Sequence, residues 1–190
     1  MSTVEEAVAA IEHGELVVIP TDTVYGVAGR LDVHTIDALF ALKDRPYDKP
    51  LPVLGSDADS LSEIAVLDTK ARELAERYWP GALTLVLPRA EGFGLPLGRG
   101  GEGTVAVRVP AHPLALRFLA RSGPVAVTSA NRSGEIEAHT ADEARAVLGE
   151  SVSIYLDGGR CDGKPSTVLS LVGTPRVLRS GSIGESELFG

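Results

Sequence analysis

The sequence predicts an α/β protein: one twisted, mixed parallel and antiparallel sheet with flanking helices, in a single domain spanning residues 1–190. Three observations carry that expectation. Short apolar runs recur, and each stops at proline, glycine or a cluster of hydroxyls. Between them lie segments with apolar residues at helical spacing, opened by side chains that cap helices. The two kinds of segment alternate through the first two thirds, whereas strands dominate the end, so the sheet is neither all parallel nor all antiparallel.

Ser2 and Thr3 each precede a Glu by three residues, which is capping-box spacing. Val4, Ala7, Val8 and Ile11 then repeat as one helical face, and Gly14 can end it. Leu16–Ile19 is a continuous apolar run and reads as a central strand. Ile36, Leu39 and Phe40 mark a second helix that ends before Pro46, and Pro52–Leu54 reads as a short strand. Asp68 caps a helix carrying Ala71, Leu74, Ala75 and Tyr78, stopped by Pro80 and Gly81. Strands are expected over 83–87 and 104–109. The glycine-rich stretch 91–103 between them reads as a mobile loop, a lid or a plain hairpin connection. Pro113 sits where a helix starts, with Leu116, Leu119 and Ala120 behind it. A strand at 124–128, a helix capped by Thr140 with Glu143, and strands at 151–156, 166–172 and 176–179 complete the chain.

Composition limits the function classes. Forty-four per cent of residues are apolar and 23% charged, so a sizeable core needs no covalent staples. The formal charge of −8 argues against a surface devoted wholly to nucleic acid, while leaving room for a local basic pocket. Cys161 is the single cysteine, which excludes an intramolecular disulfide framework and a multi-thiolate zinc site. The start of the chain is acidic and lacks a long apolar core, and no run approaches the ~18 apolar residues of a membrane span. A cytoplasmic protein without membrane association is expected.

The chemistry-bearing segments begin with one that fails. Gly158, Gly163 and Lys164 have most of a Walker A spacing, but Pro165 stands where the metal-binding hydroxyl belongs, and the β-branched run after it reads as strand. Lys43, Arg45 and Lys49 crowd a helix exit, either as a polyanion site or as solvated cations near a helix C-terminus. Alternation along 104–109 sends Val105, Val107 and Val109 to one face and Thr104, Ala106 and Arg108 to the other. Buried there, Arg108 needs a fixed partner, and a carboxylate ligand or a structural Asp would each serve.

Two apolar strands end in polar clusters: Thr21, Asp22, Thr23 and Tyr25 in the first, Thr128, Ser129, Asn131 and Ser133 in the second. Strand ends are where open α/β sheets bind ligands. Ser166 and Arg179 lie at further strand ends. His13, His34, His112 and His139 form no metal spacing, so no protein metal site is expected. No nucleophile–base arrangement is evident. The sum is a pocket that aligns anionic substrates and stabilises charge.

Taken together, the segments "PTDTVYGVAG", "KDRPYDKPL", "WPGALTLVL", "VAVRVPAHP", "PVAVTSANRSG", "DGG" with "PSTVL", and "RVLRSGSI" resemble the threonylcarbamoyl-AMP synthase family, the YrdC-like domain. They occur in family order over nearly the whole chain. The resemblance implies a sheet with a large concave, positively charged cleft. It implies a reaction in which L-threonine, bicarbonate and ATP, with Mg²⁺, give threonylcarbamoyl-adenylate and pyrophosphate. A downstream tRNA-modifying threonylcarbamoyl transferase complex would then act at adenosine 37 of tRNA. By position, Thr23, Arg108 and Ser166 would bind threonine. Arg45, Lys49, Thr104, Ser129, Asn131 and Arg179 would bind ATP, with Lys43 and Arg45 catalytic. Leu54 stands where longer members carry a histidine that touches threonine. The competing reading is a non-catalytic RNA-binding module of the same fold, and weak direct RNA binding is compatible with either.

Overall fold

The computed structural model describes residues 2–99, 101–132 and 134–189. Nine strands form one sheet: β1 (Val17–Ile19), β2 (Gly26–Arg30), β3 (Val53–Leu54), β4 (Leu83–Pro88), β5 (Thr104–Arg108), β6 (Val125–Ser129), β7 (Ile154–Tyr155), β8 (Thr167–Ser170) and β9 (Arg176–Arg179). Their spatial order is β7-β1-β2-β6-β3-β5-β4-β8-β9. Pairs β1–β7, β3–β5 and β4–β8 are parallel and the other five antiparallel, so the mixed sheet expected from the sequence is found.

The helices are α1 (Val4–Glu12), α2 (Val33–Leu42), α3 (Ala58–Ser62), α4 (Thr69–Tyr78), α5 (Pro113–Ser122), α6 (Ala141–Leu148) and α7 (Glu185–Phe189). Their starts follow the caps read from the sequence. Thr3 and Glu6 close a reciprocal box on α1, Asp68 accepts from the Ala71 amide, and Thr140 accepts from the Glu143 amide. His112 caps α5 through its ring, accepting from the Leu114 amide at 3.2 Å. None of the helices in the described residues is long and apolar enough to cross a membrane.

What matters for a site is which parts of the sheet the helices leave bare. One face carries Val27, Val53, Leu85, Val105 and Val107 and is packed by Ile36, Leu39 and Phe40 of α2, Ala71 and Leu74 of α4, and Leu148 of α6. The other face is covered over only part of its width. Val4, Ala7 and Ile11 of α1 and Phe118 and Leu119 of α5 pack on Ala28, Leu54, Val125 and Val127. Burying a side chain such as Phe118 stabilises by about 1.5–3 kcal/mol, which anchors these helices over one end. Register places Leu54 opposite Arg108, Ala106 opposite Val86, and Val168 opposite Thr84, so these residues share that same face; Leu54 lies under α1 and α5, and the other five lie outside that cluster.

Three elements go beyond the sequence reading. β2 has no counterpart in the sequence reading, since Gly26 and Gly29 weaken a strand pattern. A Cβ at Gly29 would meet Thr35 Cγ2 of α2 at 2.6 Å, so this glycine permits close packing of helix on strand and does not mark a loop. Helices α3 and α7 are five residues each and too short to show a periodicity. The strand expected over 151–156 shortens to Ile154–Tyr155 behind a 3₁₀ turn at Gly149–Ser151.

Candidate active site

The bare part of the sheet is the floor of a cavity of about 430 Å³. Its wall draws on the loop before β2 (Thr21, Thr23, Tyr25), the turn after α2 (Arg45, Pro50) and β4–β5 (Thr84, Thr104, Arg108). It continues through Ser129 at the end of β6, Ser166 before β8 and Arg179 at the end of β9. Of the ten residues singled out from the sequence, seven therefore reach one hollow: Thr23, Arg45, Thr104, Arg108, Ser129, Ser166 and Arg179. Leu54 lines it too.

The other three lie outside the lining. Lys43 is 4% exposed, and its Nζ donates to Ser129 O at 2.6 Å, Ser129 Oγ at 3.0 Å and Asn131 Oδ1 at 2.7 Å. Asn131 is buried as well, and its Nδ2 donates to Glu135 O at 2.6 Å. The ammonium therefore sits behind Ser129 and fixes it. Burial, and then the neighbouring Arg45, push the Lys43 pKa down to about 8, while Glu137 acts the other way. Lys49 is exposed; its carbonyl accepts from Arg45 Nε at 2.8 Å, and Arg45 also donates to Pro50 O at 3.1 Å. Arg45 thus ties its own turn together. Ser133 lies outside the described residues.

At the other end of the cavity the structure supplies the partner that Arg108 requires. The guanidinium is 6% exposed and pairs with Asp22 Oδ1 at 2.6 Å. It also donates to Gly81 O at 2.9 Å and reaches Thr23 Oγ1 at 3.3 Å. Burial pulls the Arg108 pKa down and Asp22 opposes it, so the group stays charged. Asp22 accepts in addition from the Ala111 amide at 2.9 Å. Next to this pair, Arg179 donates to Ser166 O and, at 3.0 Å, to Ser166 Oγ, which also shares a 2.9 Å hydrogen bond with Thr84 Oγ1. Ser166 is held from two sides.

The surrounding loops are pinned. Tyr25 Oη donates to Gly159 O at 2.6 Å and accepts from the Gly158 amide, and burial raises its pKa to about 12. The segment with the incomplete Walker spacing is an irregular loop that leads directly into β8 and not into a helix. In the 91–103 loop, Leu97 is buried against the cavity and its carbonyl accepts from the Leu51 amide at 2.7 Å. Sequence reasoning named Asp22 in a polar cluster without assigning it to Arg108, and it missed the lining carboxylate Glu137. The signals for Asp22 were its place in the polar strand-end cluster and the unmet need of Arg108, which are far apart in the chain. Glu137 carried no signal.

Comparison with known proteins follows the same outline. The Sua5/YciO/YrdC family model, described as "Telomere recombination", matches residues 9–181. A Mycobacterium tuberculosis relative is 42% identical over 186 residues, covering 96% of this chain and 85% of its own. A threonylcarbamoyl-AMP synthase of Chromohalobacter salexigens is 38% identical over 172 residues, covering 88% of this chain and 92% of its own. The crystal structure of Pyrococcus abyssi Sua5 complexed with L-threonine superposes with a TM-score of 0.91 at 37% identity. That match covers 97% of this chain and 56% of the P. abyssi chain, so this chain spans little more than half of that relative.

Proposed function

The chain belongs to the Sua5/YciO/YrdC family, and on that premise we propose that it is an L-threonylcarbamoyladenylate synthase, a nucleotidyltransferase that makes threonylcarbamoyl-AMP and pyrophosphate from L-threonine, bicarbonate and ATP. One observation carries the reading: side chains from six separate parts of the chain, four of them Thr23, Arg45, Arg108 and Arg179, meet in one cavity. The product serves the tRNA-modifying threonylcarbamoyl transferase complex that acts at adenosine 37, which places the protein with tRNA in the cytoplasm. Residues 1–190 act as one unit, a reading supported by the single sheet.

In this account the Asp22–Arg108 end takes the amino acid. Arg108 pairs with the threonine carboxylate, and Thr23 and Ser166 donate to it. The carboxylate of Asp22 offsets most of the cost of burying the guanidinium, and one N–H on each terminal nitrogen remains for the ligand. The Arg45 end takes the triphosphate, with Thr104, Ser129 and Arg179 on its oxygens and Lys49 at the mouth. Lys43 and Asn131 act by holding Ser129.

The threonine amine and bicarbonate condense to a carbamate with loss of water. A carbamate oxygen attacks the α-phosphorus, the bond to the β-phosphate oxygen breaks, and pyrophosphate leaves with that electron pair. The carbamate is already anionic, so no protein base is required. The chain's contribution is alignment and stabilisation of the charge that develops on the phosphates. Among the described residues no three His, Cys, Asp or Glu side chains form a metal cluster. A cavity with one lining carboxylate fits a Mg²⁺ held mainly by the phosphates, where it neutralises charge.

The test is direct. The protein is incubated with ATP and bicarbonate and each amino acid in turn, and adenylates are detected by mass. Threonylcarbamoyl-adenylate, formed with threonine and dependent on bicarbonate, is the expected product. Salt-sensitive RNA binding without any adenylate would overturn the proposal in favour of a binding module.

A further inference from the structure

A carboxylate stands in the wall meant for a triphosphate. Glu137 lines the cavity, and it is the single acidic residue to do so among the described lining. It makes no hydrogen bond or ion pair with another described residue, although its charge is felt at Lys43. Its place is fixed all the same. Two residues before it, Glu135 O accepts from buried Asn131 Nδ2. Immediately after it, Ala138 O accepts from the Tyr25 amide at 2.9 Å, and the amide of His139 donates to Glu143 Oε2 at 2.7 Å. The backbone on both sides is thus fixed, by Asn131 on one side and by the cavity residue Tyr25 on the other, which holds Glu137 in the cavity wall.

Against a bound polyanion, an unpaired carboxylate is repulsive. The arrangement makes physical sense with a cation between the two. Mg²⁺ is commonly bound by one or two protein carboxylates together with substrate phosphates, keeping waters at its other positions. Among the described residues, none of the arginines lining the cavity is ion-paired with Glu137; their partners lie elsewhere. Arg45 donates to Lys49 O and Pro50 O, Arg108 to Asp22, and Arg179 to Ser166. We infer that Glu137 is a protein ligand to a divalent cation that enters with the triphosphate, so that the cavity binds a metal–nucleotide complex in preference to the free nucleotide. This rests on the nucleotide reading above and adds to it a residue that the sequence did not mark.

The inference is tested by calorimetric titration of ATP into wild type and Glu137→Gln, each in excess Mg²⁺ and in chelator, with thermal unfolding as a check that the variant is folded. In wild type, Mg²⁺ tightens ATP binding. In Glu137→Gln, the repulsion is gone, so metal-free ATP binds roughly fivefold tighter than to wild type, and most of the Mg²⁺ advantage disappears. Mn²⁺ in place of Mg²⁺ gives a second readout. Its electron spin resonance signal is expected to show the ternary complex with ATP in wild type and a weaker one in the variant. If Glu137→Gln weakens ATP equally with and without metal, the carboxylate contacts the base or ribose and the inference falls. It falls equally if the Mg²⁺ advantage is unchanged. If wild type binds ATP in neither condition, the nucleotide reading itself is wrong and the inference goes with it.

Discussion

Removing the carboxylate of Asp22 strands a charge. In Asp22→Ala, Arg108 keeps Gly81 O and Thr23 Oγ1 as acceptors but loses its counter-ion at 2.6 Å while remaining 6% exposed. Breaking a buried pair from one side costs about 3–5 kcal/mol. The Asp22 side chain is 18% exposed, so water can partly reach the vacated position, and the low end, about 3 kcal/mol, is expected. In a domain of this size each kcal/mol lowers Tm by about 2–4 °C, so Tm drops by ~6–12 °C. Urea unfolding gives the free energy directly. Asp22→Asn retains an acceptor for the Ala111 amide and loses less. In the double variant Asp22→Ala/Arg108→Met no charge is stranded, so its loss is smaller than the sum of the single losses. A cost below about 1 kcal/mol for Asp22→Ala, or strict additivity in the double variant, would refute the claim that this pair is a buried, mutually dependent unit.

Other consequences follow from the same contacts. The Lys43 pKa is lowered to about 8 when folded, whereas the unfolded lysine holds its proton to higher pH. The unfolded state therefore binds more protons above pH 8, and stability contributed by Lys43 rises with pH there, by at most roughly 3 kcal/mol. Urea midpoints for wild type relative to Lys43→Met, measured from neutral to alkaline pH, are expected to diverge in favour of wild type; parallel curves would show that the lysine stays charged. Gly181→Ala places a Cβ against the backbone at Pro165 O and Ser166. Overpacking of this kind costs about 1–3 kcal/mol, and because Ser166 must shift, the threonine KM is expected to rise more than the ATP KM. Arg179→Lys loses the multiple contacts of the guanidinium with Ser166. It is expected to raise KM for both substrates, and an effect on ATP alone would show that holding Ser166 has no functional role.

The architecture was legible where periodicity and caps are strong. The α1 box at Thr3 and Glu6 and the valine alternation of β5 were readable directly. β2 was not, because Gly29 looks like a breaker until the helix that presses on it is known. For the site, the sequence marked residues by type and by position at strand ends, and seven of ten converge. It could not separate a side chain that faces the cavity from one that supports it. Lys43 and Arg45 are two positions apart at a helix exit, yet one is buried against Ser129 and the other lines the hollow. That difference depends on where β6 lies, which local sequence does not encode. The same holds for Asp22, whose partner is 86 residues away.

The central claim is that one cavity takes an amino acid at the Asp22–Arg108 end and a triphosphate at the Arg45 end. A crystal structure with L-threonine, a non-hydrolysable ATP analogue and Mg²⁺ tests it most directly. The account predicts the threonine carboxylate against Arg108 and Ser166, and the phosphates against Arg45, Ser129 and Arg179, with the amine facing the α-phosphate. Ligands seated on separate surfaces, or a cavity occupied by neither, would contradict it.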